Sequence, residues 1–220
     1  MKKLFSFVIT AILCGSAAFA QSAIVSSRST SISVTETPSN TQWVLRAGAN
    51  FAGFCGDGAD YLDRKFAYDV ALSFQKPLSD FGMFWGMELG LGTRGFSYEE
   101  EDYYGDYKQN FLAHNIRFSP FTFGYAYAIN ESVKIDAHLG AWLSYDLFGE
   151  MTEEYDGDEE STKIGDIDDY NNLDYGVTFG IGVWYNRFNL DISWQRGFSE
   201  IIEDSEMNTK NIMLRVGVAF

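Results

Sequence analysis

The last ten residues, Asn211-Ile212-Met213-Leu214-Arg215-Val216-Gly217-Val218-Ala219-Phe220, alternate without a break. Ile212, Leu214, Val216, Val218 and Phe220 share one face of an extended strand, and Asn211, Met213, Arg215, Gly217 and Ala219 share the other. A two-residue period with an apolar face opposite a small or polar one is how a strand reads when one side meets lipid and the other a polar lumen. An edge strand of a soluble sheet can carry the same pattern. The segment therefore gains its meaning from repetition elsewhere in the chain.

The opposite end sets a second limit. Met1-Lys2-Lys3 is a basic start, residues 4–13 form an apolar run, and Ala18-Phe19-Ala20 is a small-x-small cleavage site ahead of Gln21. That is the pattern of a secretory signal peptide over residues 1–20, too short and wrongly flanked for a membrane helix. Cys14 is not expected to be lipidated, because Ala11-Ile12-Leu13 lacks the small residue usual before a lipidated cysteine. Cleavage removes Lys2 and Lys3, taking the 16 basic residues to 14 against 31 acidic, a net charge of −17. Of the two cysteines only Cys55 then remains, which excludes an intramolecular disulfide and a cysteine-based metal motif.

No other stretch approaches the roughly 20 apolar residues of a membrane-spanning helix. A membrane protein with this sequence is left with a closed β-barrel, because lipid cannot satisfy unpaired backbone groups. The 17% aromatic content, 21 Gly, 3 Pro and mean hydropathy of −0.15 agree, with a polar lumen and loops diluting an apolar outer face.

Eight alternating segments can be read: 42–54, 64–75, 81–96, 109–128, 133–147, 173–185, 188–198 and the terminal strand. In the third, Met83, Trp85, Met87, Leu89 and Leu91 oppose Gly86, Glu88, Gly90, Gly92 and Arg94. The fourth changes parity at Pro120: Leu112, Ile116 and Phe118 share a face before it, and Phe121, Phe123, Tyr125 and Tyr127 after it. One extra residue at a bulge restores the register, and proline is tolerated there. Connections 76–80, 129–132 and 186–187 are short, whereas 55–63, 97–108, 148–172 and 199–209 are long. Short turns on one side and long loops on the other mark an outer-membrane barrel. The expected fold is all-β: an eight-stranded antiparallel transmembrane β-barrel over residues 42–220, with N- and C-termini periplasmic. Residues 21–41, rich in Ser and Thr, form a periplasmic leader.

With its signal peptide, its Trp43-to-Phe51 opening strand, its Tyr- and Gly-rich alternation and the terminal Leu214-to-Phe220 segment, the chain resembles the PorT-like outer membrane protein beta-barrel domain group of Gram-negative bacteria. OmpA-like and OmpX-like barrels are its architectural relatives. The resemblance covers residues 42–220 and implies a cell outer membrane location after cleavage at Ala20/Gln21. It also implies that Phe220 closes the signal read by the barrel-assembly machinery. It implies no catalytic residues and no cofactors.

Charge is distributed unevenly. The four long connections hold 3, 5, 10 and 4 acidic residues in chain order, 22 of the 31, with Lys108 and Lys163 as their bases. Such an anionic fringe reads first as a solvated face, and secondly as a place for divalent cations that order a loop or bridge lipopolysaccharide. Asp156, Asp158, Glu160, Asp166 and Asp168 are the calcium candidates, being hard oxygen donors, but they miss the EF-hand spacing. On the inward parity fall Arg46, Lys65, Asp69, Glu88, Arg94, Arg117, Lys134, Asp136, Asp174, Asp191 and Arg215. Eight strands leave an interior that side chains fill, and buried charges must pair or be hydrated. A salt-bridged plug is expected rather than a wide pore.

Enzyme function is not expected. His114 falls on the lipid-facing parity, and His138, two residues from Asp136, reads as part of a lumenal polar network. The acidic loops argue against nucleic-acid binding, which needs basic surface. The expected role is a structural or surface-interaction barrel, whose partners are outer-membrane lipid, lipopolysaccharide, the barrel-assembly machinery and envelope proteins. The alternatives are a transport or secretion/assembly component with a narrow pore, as PorT-like relatives imply, and a soluble or lipid-binding secreted β-protein.

Overall fold

Alternation of the backbone, two residues per repeat, turns each apolar-polar segment into a strand with a dry and a wet side. The computed structural model describes residues 41–57, 59–102, 105–202 and 205–220. The signal segment 1–20, its cleavage site and leader residues 21–40 lie outside the described residues. The strands are β1 (Gln42–Ala52), β2 (Phe54–Cys55), β3 (Asp63–Pro77), β4 (Met83–Asp102), β5 (Gly105–Ala128), β6 (Val133–Tyr155), β7 (Asp158–Lys163), β8 (Leu173–Tyr185), β9 (Phe188–Glu200) and β10 (Asn208–Ala219). They form one antiparallel sheet in the order β1-β3-β4-β5-β6-β8-β9-β10. β10 returns to β1 from Val44↔Ala219 to Phe51↔Ile212. That pairing closes the sheet on itself and removes the edges an open sheet exposes.

Among the described residues the sheet has ten strands where eight were expected. β2 arises where Gly53 interrupts β1 and the chain re-pairs with β10 at Phe54↔Thr209 and Cys55↔Asn208. β7 pairs only with β6. Its sequence Asp158-Glu159-Glu160-Ser161-Thr162-Lys163 has no apolar face, so periodicity cannot reveal it. The connecting Asp156-Gly157 turn has φ of 51° and 91°, the doubly positive conformation that Asp-Gly favours in tight hairpins. In segment 97–108, read as a loop, residues 97–102 and 105–108 belong to the paired ends of β4 and β5, from Ser97↔Asn110 to Asp102↔Gly105.

The parity change at Pro120 has a clear cause. β5 gains one residue relative to both neighbours: Gly86↔Thr122 is followed by Glu88↔Ser119 on β4, and Ala141↔Phe121 by Leu143↔Phe118 on β6. A proline without an N–H donor fits the unpaired position of such a bulge.

Burial runs opposite to that of a water-soluble protein. Outward side chains are apolar and open, with Leu89 51%, Phe179 50% and Val216 63% exposed, while inward Asp69 and Asp191 are fully buried. A continuous apolar exterior of this kind signals contact with lipid or another apolar phase. No helix among the described residues is long and apolar enough to cross a membrane. At the long-loop end, Phe54, Phe96 and Phe111 pack with Ala59, Ile164 and Ile201 in a small apolar cluster. Ala59 and Ile164 each come from a one-turn 3-10 segment that folds a long connection inward.

Candidate functional site

Inward parity delivers charged side chains from many strands into one narrow lumen, where they pair. Arg117 on β5 donates to Asp69 Oδ2 on β3 at 2.7 Å and to Glu88 Oε1 on β4 at 3.2 Å. Arg215 on β10 reaches Glu88 at 2.9 Å, Asp69 at 3.3 Å and Asp191 on β9 at 2.8 Å. Arg46 on β1 reaches Glu88 at 3.2 Å and donates through Nε to Asn189 Oδ1 at 3.0 Å. Ser73 Oγ lies 2.5 Å from Arg46 Nη1 and donates to Glu88 Oε2 at 2.6 Å. Three guanidinium groups thus face three carboxylates, with Glu88 contacting all three arginines. Matched charge and filled hydrogen bonds are what make burial of ions tolerable.

Toward the short-turn end the network continues through His138. Its Nδ1 lies 2.8 Å from Asp136 and its Nε2 3.5 Å from Asp191. Trp184 Nε1 donates to the other Asp136 oxygen at 2.5 Å. His138 therefore bridges two carboxylates.

Toward the long-loop end lies a second cluster around Arg94. Its Nε donates to Asp146 Oδ2 at 2.6 Å, and Nη1 stands 3.7 Å from Asp174. Tyr170, from the connection after β7, joins the Arg94–Asp146 pair: Arg94 donates to its hydroxyl at 3.1 Å, and that hydroxyl donates to Asp146. Arg94 also donates to the Asn171 carbonyl, and its guanidinium packs over the Tyr170 ring at 5.3 Å. Burial, opposed by Arg94 and reinforced by the Asp146 carboxylate, holds the Tyr170 phenol well above the usual tyrosine range, so it stays a donor.

Arg46, Asp69, Glu88, Arg117, Asp191 and Arg215 come together in the centre, Asp136 joins them through His138, and Arg94 heads the second cluster with Asp174. Lys65 stands apart from both clusters, whereas Lys134 sits at the Asp136 end of the network. Lys65 donates to Asn110 Oδ1 at 3.2 Å, and Lys134 lies over the Trp184 ring at 5.2 Å. Charge alone misses Ser73, Asn189 and Trp184, although inward parity marks each of them. Tyr170 carries no such mark, since it enters from a loop. His114 faces outward, its Nδ1 3.0 Å from the Tyr68 hydroxyl and its ring stacked on Phe148 at 4.7 Å.

The acidic residues occupy a different place. Beyond the ring, β4, β5, β6 and β7 continue as a four-stranded extension. Its rows read Tyr98-Gln109-Glu153-Glu160 and Glu99-Lys108-Glu154-Glu159 across the sheet. Two cross-strand neighbours, Glu153↔Glu160 and Glu154↔Glu159, are like-charged, which weakens pairing. Gln109 relieves one of them, donating to Glu153 at 2.7 Å. The calcium candidates are dispersed: Asp156 is in the hairpin turn, Asp158 and Glu160 on β7, Asp166 in a 3-10 segment and Asp168 in the following loop. Among the described residues no three His, Cys, Asp or Glu side chains gather as metal ligands.

Residues 19–203 match the model for the outer membrane protein beta-barrel domain. Among curated proteins none matches in sequence. The crystal structure of Ail, the attachment invasion locus protein of Yersinia pestis, in complex with the heparin analogue sucrose octasulfate is 18% identical. It covers 82% of this chain and 99% of its own, with a TM-score of 0.41. Neisserial surface protein A is 13% identical over 82% of this chain and 97% of that one, with a TM-score of 0.42. The N-terminal β-barrel domain of OprF from Pseudomonas aeruginosa is 13% identical over 82% and 98%, with a TM-score of 0.39.

Proposed function

The chain belongs to the outer membrane protein beta-barrel domain family, and from that premise we propose a closed, side-chain-plugged barrel that displays an acidic surface for interaction outside the cell. In this reading β1, β3, β4, β5, β6, β8, β9 and β10 form an eight-stranded transmembrane ring of PorT-like, OmpA/OmpX-like type. Both termini face the periplasm, and the signal peptide is cleaved at Ala20/Gln21. The four-stranded extension and its glutamates then project from the cell, above lipopolysaccharide. The terminal segment ending in Phe220 is read by the barrel-assembly machinery.

One observation carries the functional part: Glu88, 13% exposed, contacts Arg46, Arg117 and Arg215 at 3.2, 3.2 and 2.9 Å. A carboxylate held by three guanidiniums spans a lumen that eight strands leave too narrow for a channel. This arrangement disfavours the transport alternative with its narrow pore, and it leaves the outer sheet as the surface available to partners. Planar-bilayer recording of the purified protein tests the plug, with no steady single-channel conductance expected. Affinity capture of envelope and surface partners by the intact protein, compared with a variant lacking the β6–β7 hairpin, tests the display role. Steady conductance, or identical partners for both forms, overturns the respective half of the proposal.

A further inference from the structure

Beside the Arg94 cluster lies a cavity of about 10 Å³ lined by Arg94, Asn115, Asp174, Gln195, Thr209 and Asn211, the room that one water centre needs. Five buried polar atoms of these residues make no hydrogen bond to the described residues: Arg94 Nη1, both Asp174 carboxylate oxygens, Thr209 Oγ1 and Asn211 Oδ1. None of the four side chains is more than 5% exposed. Thr209 and the backbone N–H groups of Ser199 and Tyr175 sit beside the Asp174 carboxylate. The carboxylate is also pinned: a Cβ at Gly197 would stand 2.7 Å from both of its oxygens. Arg94 Nη1 is 3.7 Å from Asp174 Oδ2, too far for a direct hydrogen bond and suited to a bridge.

We propose that one ordered water molecule is a fixed component of this lumen. It accepts from Arg94 Nη1 on β4 and donates to Asp174 on β8 and to Asn211 Oδ1 on β10. Three partners are the usual complement of a buried water. A metal cation fits the chemistry less well, because it cannot accept the Arg94 N–H and would face a guanidinium. The bridge ties three walls of the ring that share no pairing with one another. It is independent of what the outer sheet binds.

A high-resolution crystal structure of the protein purified from outer membranes tests this directly. A density peak about 2.6–3.2 Å from Arg94 Nη1, an Asp174 oxygen and Asn211 Oδ1 is expected. A crystal soaked in thallium(I) should show no anomalous peak there. In solution, water-to-protein magnetisation transfer should reach the Arg94 guanidinium protons, and Asn211→Leu should abolish it while Asn211→Ser retains it. If Asn211→Leu does not fold, the wild-type density decides. An anomalous thallium peak, or direct Arg94–Asp174 contact with no peak between them, overturns the proposal.

Discussion

Glu88 on β4 and Arg215 on β10 meet at 2.9 Å across the lumen although 127 residues separate them in the chain. The same carboxylate also holds Arg46 and Arg117, so its loss takes the carboxylate partner from Arg46 and one of the carboxylate partners from each of Arg117 and Arg215, all three buried. Glu88→Ala is expected to lower stability by about 3–5 kcal/mol, the scale for breaking a buried pair. Glu159→Ala, on the exposed hairpin, should change stability by no more than about 0.5 kcal/mol. Urea unfolding in detergent micelles, followed by tryptophan fluorescence, checks the pair. Equal tolerance at the two positions would refute a salt-bridged plug.

Leu89, the next residue, points the other way and is 51% exposed. Leu89→Arg should cost roughly 2–4 kcal/mol if it sits near the bilayer midplane, measured by reversible folding into lipid vesicles. Gly90 returns to the lumen, where an added Cβ would meet Arg117 Nη2 at 3.0 Å and Ala71 Cβ at 3.3 Å. Gly90→Ser should therefore disturb the Arg117 pairing, and Leu89→Ala should leave it intact.

Tyr170→Phe removes one hydroxyl that both accepts from Arg94 and donates to Asp146. The expected loss is about 1–3 kcal/mol, the cost of leaving buried partners unsatisfied. Because Tyr170 anchors the connection after β7, limited proteolysis of intact cells should cut segment 164–172 faster in this variant. Unchanged cleavage would mean that the apolar cluster alone holds the loop.

Deleting Phe220 should reduce assembly in cells more than stability. Its side chain is 43% exposed, and even a fully buried aromatic of this size contributes only roughly 1.5–3 kcal/mol. Less heat-modifiable protein in the outer membrane, with near-normal refolding in detergent, is the expected result. Normal assembly of the deletion would remove Phe220 from the recognition segment.

Calcium should leave the unfolding midpoint where it is, since Asp156, Asp158, Glu160, Asp166 and Asp168 are spread over a turn, a strand, a 3-10 segment and a loop. Thermal scans with calcium and with EDTA make the comparison. A calcium-dependent rise abolished by Asp166→Asn or Asp168→Asn would show that the loops gather around an ion in solution.

The sequence by itself determined which way most side chains face. Arg46, Asp69, Glu88, Arg94, Arg117, Asp136, Asp191 and Arg215 could be assigned to the lumen, and Pro120 to a bulge. Parity depends only on the local two-residue repeat of an extended backbone, which every strand carries in its own residues. Tertiary structure decided which of those side chains meet. Arg46 and Arg94 share a parity, yet one joins Glu88 and the other Asp146, because the stagger between strands sets the height of each residue along the ring. β7 and Tyr170 were beyond reach for a related reason. Neither has an apolar face of its own to announce it: β7 forms because β6 offers it an edge, and Tyr170 is buried because Arg94 and Asp146 are already in place to receive its hydroxyl.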